Sequence, residues 1–446
     1  MRMWAAVLIG LAMLPGLAEA ADQYQVNNGA TVAISEWGTC KLVKNNHASG
    51  KAIMIPTKTN PEWSSFLGNT PAGVTMKGCG PLYCWGYNSL GQLGNGGTVS
   101  QSYPVRVVST TAISFTQVDI DNSHACGVDI DGRAYCWGSG ASGVLGYGGV
   151  ANQSYPVRVV STTAISFTQV VGGSGSHTCA VDIDGKAYCW GSGATGRLGY
   201  GGTGQQNYPV RVVSTTAISF TGVTAGSTSS CGVDINGKAY CWGQGTQGQL
   251  GYGGSTSQLY PVRVVSSTAI SFTQVTGGGN NHTCGVDING NAYCWGSGAS
   301  GKLGYGGTAQ QNYPVRVVST TTISFTQLSA GTSHSCGIDI NGAAFCWGLN
   351  AYGQLGNGDT AQQNYPVRVV STPSISFTQI VAGSNHSCGV GINGALYCWG
   401  QGDQGQLGNG GTAQQSYPVQ VTSPTGASFV WVSAHRGDST CAINSP

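Results

Sequence analysis

The stretch Ala125-Cys126-Gly127-Val128-Asp129-Ile130-Asp131-Gly132-Arg133-Ala134-Tyr135-Cys136-Trp137-Gly138 decides the fold, because it reads as one β-hairpin and returns along the chain in close variants. Its terminal Cys-Trp-Gly starts at Cys84, Cys136, Cys189, Cys241, Cys294, Cys346 and Cys398, spaced by 52 or 53 residues. A second ladder, Tyr-Pro-Val, starts at Tyr103, Tyr155, Tyr208, Tyr260, Tyr313, Tyr365 and Tyr417. A third ladder of cysteines runs Cys126, Cys179, Cys231, Cys284, Cys336, Cys388 and Cys441. All three count seven, and a fixed period of this length marks a repeat architecture.

One unit, taken from Pro104, reads as four short strands: Val105 to Val108, Ser114 to Val118, Ala125 to Ile130 and Arg133 to Trp137. They are rich in Val, Ile, Phe, Tyr and Thr and are parted by Gly-, Ser- and Asn-rich turns. No segment holds a 3.6-residue apolar period over three turns. Four strands in each of seven units fit an all-β, seven-bladed β-propeller of four-stranded blades, whose radial repetition leaves only short protected edges. A β-solenoid is the structural alternative, but its usual rungs are much shorter than this unit.

Within the hairpin, a three-residue loop Ile130-Asp131-Gly132 with Gly in the left-handed region sets Asp129 opposite Arg133 and Cys126 opposite Cys136. Alternation makes the cysteines a non-hydrogen-bonded pair, where side chains stand closest. The same ten-residue separation recurs at 179/189, 231/241, 284/294, 336/346 and 388/398, so six blades each gain a staple worth at most about 3 kcal/mol.

The 446 residues are 40% apolar, only 8% charged, and carry a formal net charge of +2. That balance supplies no electrostatic footprint for nucleic acid or an anionic membrane. The 73 glycines fit many tight turns between short strands. Residues 1–20 begin with Arg2, run through the apolar stretch Ala5 to Leu14 and end in Ala18-Glu19-Ala20, the pattern of a cleaved secretory signal too short to span a membrane. The expected mature protein is exported, extracellular or periplasmic, and monomeric. An oxidising compartment lets sixteen cysteines pair as staples.

The string Tyr83-Cys84-Trp85-Gly86-Tyr87-Asn88-Ser89-Leu90-Gly91-Gln92-Leu93-Gly94 resembles the repeat of the regulator of chromosome condensation family. It recurs at Phe345 to Gly356 and, more loosely, in the other five copies, so the resemblance covers roughly residues 82–446. It implies a seven-bladed propeller in which each repeat spans two blades. Its members include a nuclear nucleotide-exchange factor for a small GTPase, domains of ubiquitin ligases, and secreted bacterial propellers that inhibit β-lactamases; what they share is binding through propeller faces. The export signal, the dense cysteines and the low charge separate this chain from the nuclear members. A protein-binding propeller of inhibitor or adhesin type, without catalysis or cofactor, is therefore the expected function; guanine-nucleotide exchange or another enzyme-regulating role is the alternative.

Residues 21–80 lie outside the repeats, hold five of eight lysines, and are expected to form a small N-terminal module stapled by Cys40 and Cys79. Residues 81–446 form the propeller. The chain ends in a strand of the third type containing Cys441, and the repeat region opens with an orphan fourth strand, Leu82 to Trp85. The seventh blade is therefore expected to combine both ends and to carry a Cys84–Cys441 disulfide.

Several motifs are weaker than they look. Gly-x-Gly-x-x-Gly occurs five times, as at Gly138/Gly140/Gly143, but no helix follows, and the middle Gly becomes Asn88 or Asn350 elsewhere, the swap expected of a residue needing positive φ. His124, His177, His282, His334 and His386 each stand two residues before a Cys. Paired cysteines do not ligate metal, and one His per blade makes no four-ligand site, so a structural hydrogen bond is expected. Asp129-x-Asp131-Gly132 echoes a calcium loop but lacks its later carboxylates, which points to a hairpin turn. Arg106, Arg158, Arg211, Arg263, Arg316 and Arg368 alternate with Val and point away from the buried face. No metal site and no catalytic set is expected.

The partner surface is assigned to the face carrying the loops after Cys-Trp-Gly, read here as inter-blade connections. Most begin with plain polar and Gly sequence, but Tyr87 and Leu90 stand out after the seventh blade and Leu349 and Tyr352 after the fifth. Asp403 is unique to its copy, and the irregular loop His435 to Asp438, containing the integrin-type triplet Arg436-Gly437-Asp438, falls on the same face. Aromatic anchors on a polar surface are the usual centre of an interface.

Overall fold

Short runs of β-branched and aromatic residues satisfy their backbone groups only by pairing with one another, and here they pair four at a time. The computed structural model describes residues 80–445 apart from 175, 423–425 and 427, together with the backbone of four short strands nearer the N-terminus. The chain divides into two units, residues 1–77 and 78–445. In the first, Asp22–Val26 pairs antiparallel with Ala30–Ile34 and Ile53–Met54 pairs parallel with Thr75–Met76. Cys40 and Cys79 lie outside the described residues.

The second unit is a ring of seven four-stranded antiparallel sheets. The first blade runs, from axis to rim, Phe115–Ile120, His124–Asp129, Ala134–Gly138 and Gln153–Arg158. Five more follow, their inner strands starting at Phe167, Phe220, Phe272, Phe325 and Phe377. The seventh takes Phe429–Ser433 and Ser439–Asn444 from the end of the chain and Leu82–Gly86 and Gln101–Arg106 from the start of the repeats.

One expectation about phase is corrected. The strand placed at Val105–Val108 is observed at Gln101–Arg106, and it is the rim strand of the preceding blade. Pro104 lacks the N–H that a central strand would need, so each Tyr-Pro-Val strand belongs on an edge. Loops after Cys-Trp-Gly therefore join third and rim strands of one blade and are not inter-blade connections. The repeat does span two blades, as the resemblance implied.

The hairpin geometry holds residue for residue. Asp129 N donates to Arg133 O at 2.9 Å, Gly132 has φ 75°, and Cys126 stands opposite Cys136 with Cα atoms 4.1 Å apart. Asp129 Oδ1 accepts from the N–H groups of Asp131 and Arg133, so the calcium-like aspartate is a turn cap. Cys84–Cys441 and all six within-blade disulfides are formed. The six ladder arginines are exposed.

A second correction concerns the middle glycines of Gly-x-Gly-x-x-Gly. Gly140, Gly193 and Gly298 have φ near −90°. What excludes a side chain is proximity, since a Cβ on Gly140 would lie 2.0 Å from Ala151 O. At the matching place Asn88 uses its amide inside the loop, accepting from Leu93 N and donating to Gly97 O and Val99 O.

The core lies between blades. Trp137, fully buried, packs with Leu82, Leu93 and Phe115 and donates its indole N–H to Gln92 O on the loop of the neighbouring blade. The Trp of five other blades does the same, so six of the seven loops clamp the next blade, and Trp242 alone leaves its indole N–H without a partner. Nearer the axis, Gln117, Gln169, Gln274, Gln327 and Gln379 each accept through Oε1 from a backbone N–H of the next inner strand. Trp431 serves the seventh blade by donating to Val118 O, and the third blade carries Gly222 instead.

Candidate functional site at the axial mouth

The face of interest carries the turns between inner and second strands and the third-to-rim loops, and is called the upper face. Tyr87 N donates to Asp438 O at 2.9 Å, which puts the Tyr87 loop and the His435–Asp438 turn on this face together.

The histidine ladder rings the axis just below the face. Each of His124, His177, His282, His334 and His386 places Nε2 within 2.9–3.1 Å of a Ser or Thr hydroxyl on the next blade. That hydroxyl donates to a loop carbonyl, which in most blades also accepts the Trp indole N–H, as Val144 O accepts from Thr178 and Trp190. A hydroxyl already donating must accept from the ring, so Nε2 carries the proton. Burial holds His334 down at about 3 and His386 at about 4. His177 lies well below the usual imidazole range, through burial and then the charges of Arg197 and Arg436; His282 does so through burial and then Lys302, with Arg436 a smaller contributor.

The ring loses its regularity between the seventh and first blades. Where five turns place Gly173, Gly226, Gly278, Gly331 and Gly383, the first blade has Asp121 and the seventh has His435. On the inner strands Asp119 replaces the Val, Thr or Ser of the other copies. Asp119 Oδ1 accepts from Ser433 Oγ and pairs with His435 Nδ1, while Oδ2 accepts from Gly172 N. Burial pushes this carboxyl up, but the charge and hydrogen bond of His435, the Arg436 guanidinium and the Ser433 hydroxyl outweigh it and hold it below the usual carboxylate range. Asp121 Oδ2 stands 2.9 Å from His124 Nδ1, both fully buried.

Of the residues assigned to the partner surface, Tyr352 and Asp403 are exposed and Tyr87, Leu90, Leu349 and Asp438 are half-buried on the upper face. Arg436 is only 4% exposed. Burial, reinforced by the nearby charge of Asp403, raises the Asp438 carboxyl, so these two acids from adjacent blades are neighbours. Asp119, Asp121, Arg197 and Lys302 escaped the sequence reading; their signal was departure from the repeat at columns otherwise filled by small or neutral residues. On the opposite face, Ile235, Ile288, Ile340 and Ile392 stand exposed at successive hairpin tips. Among the described residues no His, Cys, Asp and Glu side chains gather in a group able to hold a metal ion, and no helix is long and apolar enough to cross a membrane.

Comparison with known proteins agrees with this geometry. The RCC1-like domain family matches residues 68–370 and 169–445. The human E3 ubiquitin-protein ligase HERC2 is 31% identical over 357 residues, covering 79% of this chain but only 7% of that protein. The ultraviolet-B receptor UVR8 of Arabidopsis thaliana is 30% identical over 353 residues, covering 78% of this chain and 80% of the receptor. Among solved structures, human WBSCR16 superposes with a TM-score of 0.73 at 20% identity, covering 82% of this chain and 99% of that one. Prp20p of Saccharomyces cerevisiae, described with its binding to Gsp1p and histones, gives 0.72 at 19% identity, covering 82% and 92%. These two identities speak to fold alone. With the family match running over most of the repeats and a relative matched along four-fifths of its length, the chain belongs to the RCC1-like domain family.

Proposed function

We propose that the chain is an exported, monomeric protein-binding propeller, inhibitor- or adhesin-like, that docks a protein partner on its upper face and performs no catalytic step. The observation that carries this reading is where the repeat is broken. Tyr87, Leu90, Leu349, Tyr352 and Asp403 on the loops, and His435 to Asp438 at the turn, all fall on one face. The opposite face repeats its Ile-tipped hairpins from blade to blade. A rigid ring that varies on one side is suited to present anchors with little ordering cost.

Export is supported by the signal pattern of residues 1–20 and by seven formed disulfides in the propeller, which persist in oxidising compartments. A protein partner is in keeping with a structural relative described as binding Gsp1p and histones.

The test has two arms. Fractionation of producing cells should find the protein outside the cytoplasm with Ala21 as its N-terminus. Immobilised protein should then capture a partner from that same fraction, and the capture should fail when upper-face loop residues are changed but survive Ile288→Ser on the opposite face. Acceleration of nucleotide release from a small GTPase would instead favour an exchange role and overturn the reading.

A further inference from the structure

Arg436 is in an unusual state for an arginine. Its φ is 59°, in the left-handed region that a non-glycine residue occupies only at an energetic cost. Its side chain is more than nine-tenths buried, and both Nε and Nη1 are buried without a hydrogen-bond partner. A guanidinium withdrawn from water ordinarily finds a carboxylate, because an unpaired buried charge is strongly destabilising.

Of the two nearby carboxylates, Asp119 is committed elsewhere and Asp121 is committed through one oxygen only. Asp119 spends both oxygens on Ser433, His435 and the Gly172 N–H. Asp121 accepts the N–H groups of Ser123 and His124 through Oδ1, while its buried Oδ2 lies 2.9 Å from His124 Nδ1 without a hydrogen bond. Neither forms an ion pair with Arg436.

Two further cations stand around the same axis. The loop column that reads Gln92, Val144, Gln249, Gln354 and Gln406 in five copies carries Arg197 in the second blade and Lys302 in the fourth, both buried. This column leans on the axial turns: Gln92 donates to Asn122 O, and Arg197 donates to Ala194 O and to Ser227 O. Arg197 and Arg436 both act on His177, and Lys302 and Arg436 both act on His282. The Arg436 turn sits where the sixth, seventh and first blades converge, since Ser384 N donates to Gly437 O and a Cβ on Gly437 would lie 2.6 Å from Asp121 O.

From these positions we infer that the upper end of the ring's axis is a carboxylate-binding site, with Arg436 as its principal donor and Arg197 and Lys302 as further cations around it. The carboxylate comes either from a free small acid or from an acidic side chain of a docked protein. The second source rests on the protein-binding reading above; the first does not.

The test uses the intact protein and two probes. Sodium acetate is titrated against sodium chloride at constant ionic strength, followed by backbone amide NMR shifts and by thermal unfolding. The blocked peptide acetyl-Gly-Asp-Gly-amide is then titrated beside its Asn counterpart. Acetate should shift amides of the His435–Asp438 turn and raise the melting temperature where chloride does not. Arg436→Gln should weaken acetate binding about tenfold or more, which is about 1.4 kcal/mol, and Lys302→Gln and Arg197→Gln about threefold each. Gln already occupies that column at Gln249 and Gln354, so the last two variants keep the fold and decide the matter if Arg436→Gln does not fold. Equal responses to acetate and chloride, or unchanged acetate affinity in both column variants, would overturn the site. Binding of acetate without the Asp peptide supports the free-acid source and rejects the side-chain source. No partner enters these measurements, so their failure leaves the protein-binding reading standing, and a failed partner capture leaves the site standing.

Discussion

Cys84 and Cys441 face each other in register with their Cα atoms 4.1 Å apart, although they lie 357 positions apart in the chain. The pair closes the ring, since the seventh blade exists only when both ends of the repeat region meet. In the chain-entropy description a loop of this length is worth up to about 6 kcal/mol, against about 3 kcal/mol for an 11-residue hairpin loop. Replacing both cysteines by Ala should therefore lower the guanidinium midpoint about twice as far as Cys231→Ala with Cys241→Ala. Equal shifts for the two double variants would show that the ring is held by its interfaces and not by this closure.

Acid should loosen the ring well above the carboxylate range. Burial lowers His177, His282, His334 and His386 in the folded state, the last two to about 3 and about 4, while in the unfolded chain they titrate near 6.5. Between those values the unfolded state binds more protons. Stability is then complete above about pH 6.5 and falls as the pH drops, by up to about 1.4 kcal/mol per pH unit for each histidine. His334→Gln should make the slope between pH 6 and 4 shallower by about one proton, measured from urea unfolding at a series of pH values. An unchanged slope would refute the buried neutral ring.

The ring and its staples were legible because they are local. Cys126 meets Cys136 through hairpin arithmetic over eleven residues, and the closing blade follows from two leftover strands. The phase of the Tyr-Pro-Val strand was not legible, because a four-strand repeat reads alike wherever it is cut, and only Pro104 hinted at an edge. The negative φ of Gly140 was hidden as well, since a glycine required by a close approach looks in sequence like one required by a left-handed turn. Arg436 and Asp119 come together only once seven blades converge on an axis, and no spacing in the chain encodes that meeting.

Gly222 is the one position in the column linking inner strands that lacks a linking side chain, and filling it should stabilise the protein. A Cβ there meets nothing nearer than Gln169 Oε1 at 3.4 Å. By analogy with Gln169, which accepts from Val223 N, Gln at 222 would accept from Val275 N. One inter-blade hydrogen bond and the loss of a strand glycine together predict about 1–2 kcal/mol from Gly222→Gln. A lower melting temperature for the variant would mean that the third and fourth blades lack room for the amide.

Asp119 ties the first blade to the seventh through His435 and Ser433, and its carboxyl is held below the usual range. A lowered folded value means that its contribution is complete above about pH 4 and fades as the pH falls through the folded value. Asp119→Asn should cost about 1–3 kcal/mol at pH 7 and less as the pH is lowered below about 4. A cost that stays constant down to pH 2 would show that the carboxylate charge contributes nothing at the seam.

The upper-face loops should matter for binding and little for folding. Tyr352 is 36% exposed and Tyr87 is half-buried, with its hydroxyl accepting only from Ser89 beside it. The backbone that holds Tyr87 in place, its N–H on Asp438 O and its carbonyl accepting from Ser439 Oγ, does not depend on the ring. Removing both rings therefore leaves the Trp clamps, the staples and the histidine ladder untouched. An interface draws most of its energy from a few aromatic anchors, each worth about 2 kcal/mol or more when truncated. Tyr87→Ala combined with Tyr352→Ala should weaken partner binding at least about thirtyfold, or about 2 kcal/mol, with the melting temperature nearly unchanged. Ile288→Ser and Ile340→Ser on the opposite face should leave binding intact. Full binding by the tyrosine double variant, together with loss in the isoleucine variants, would move the partner to the other face and refute the assignment.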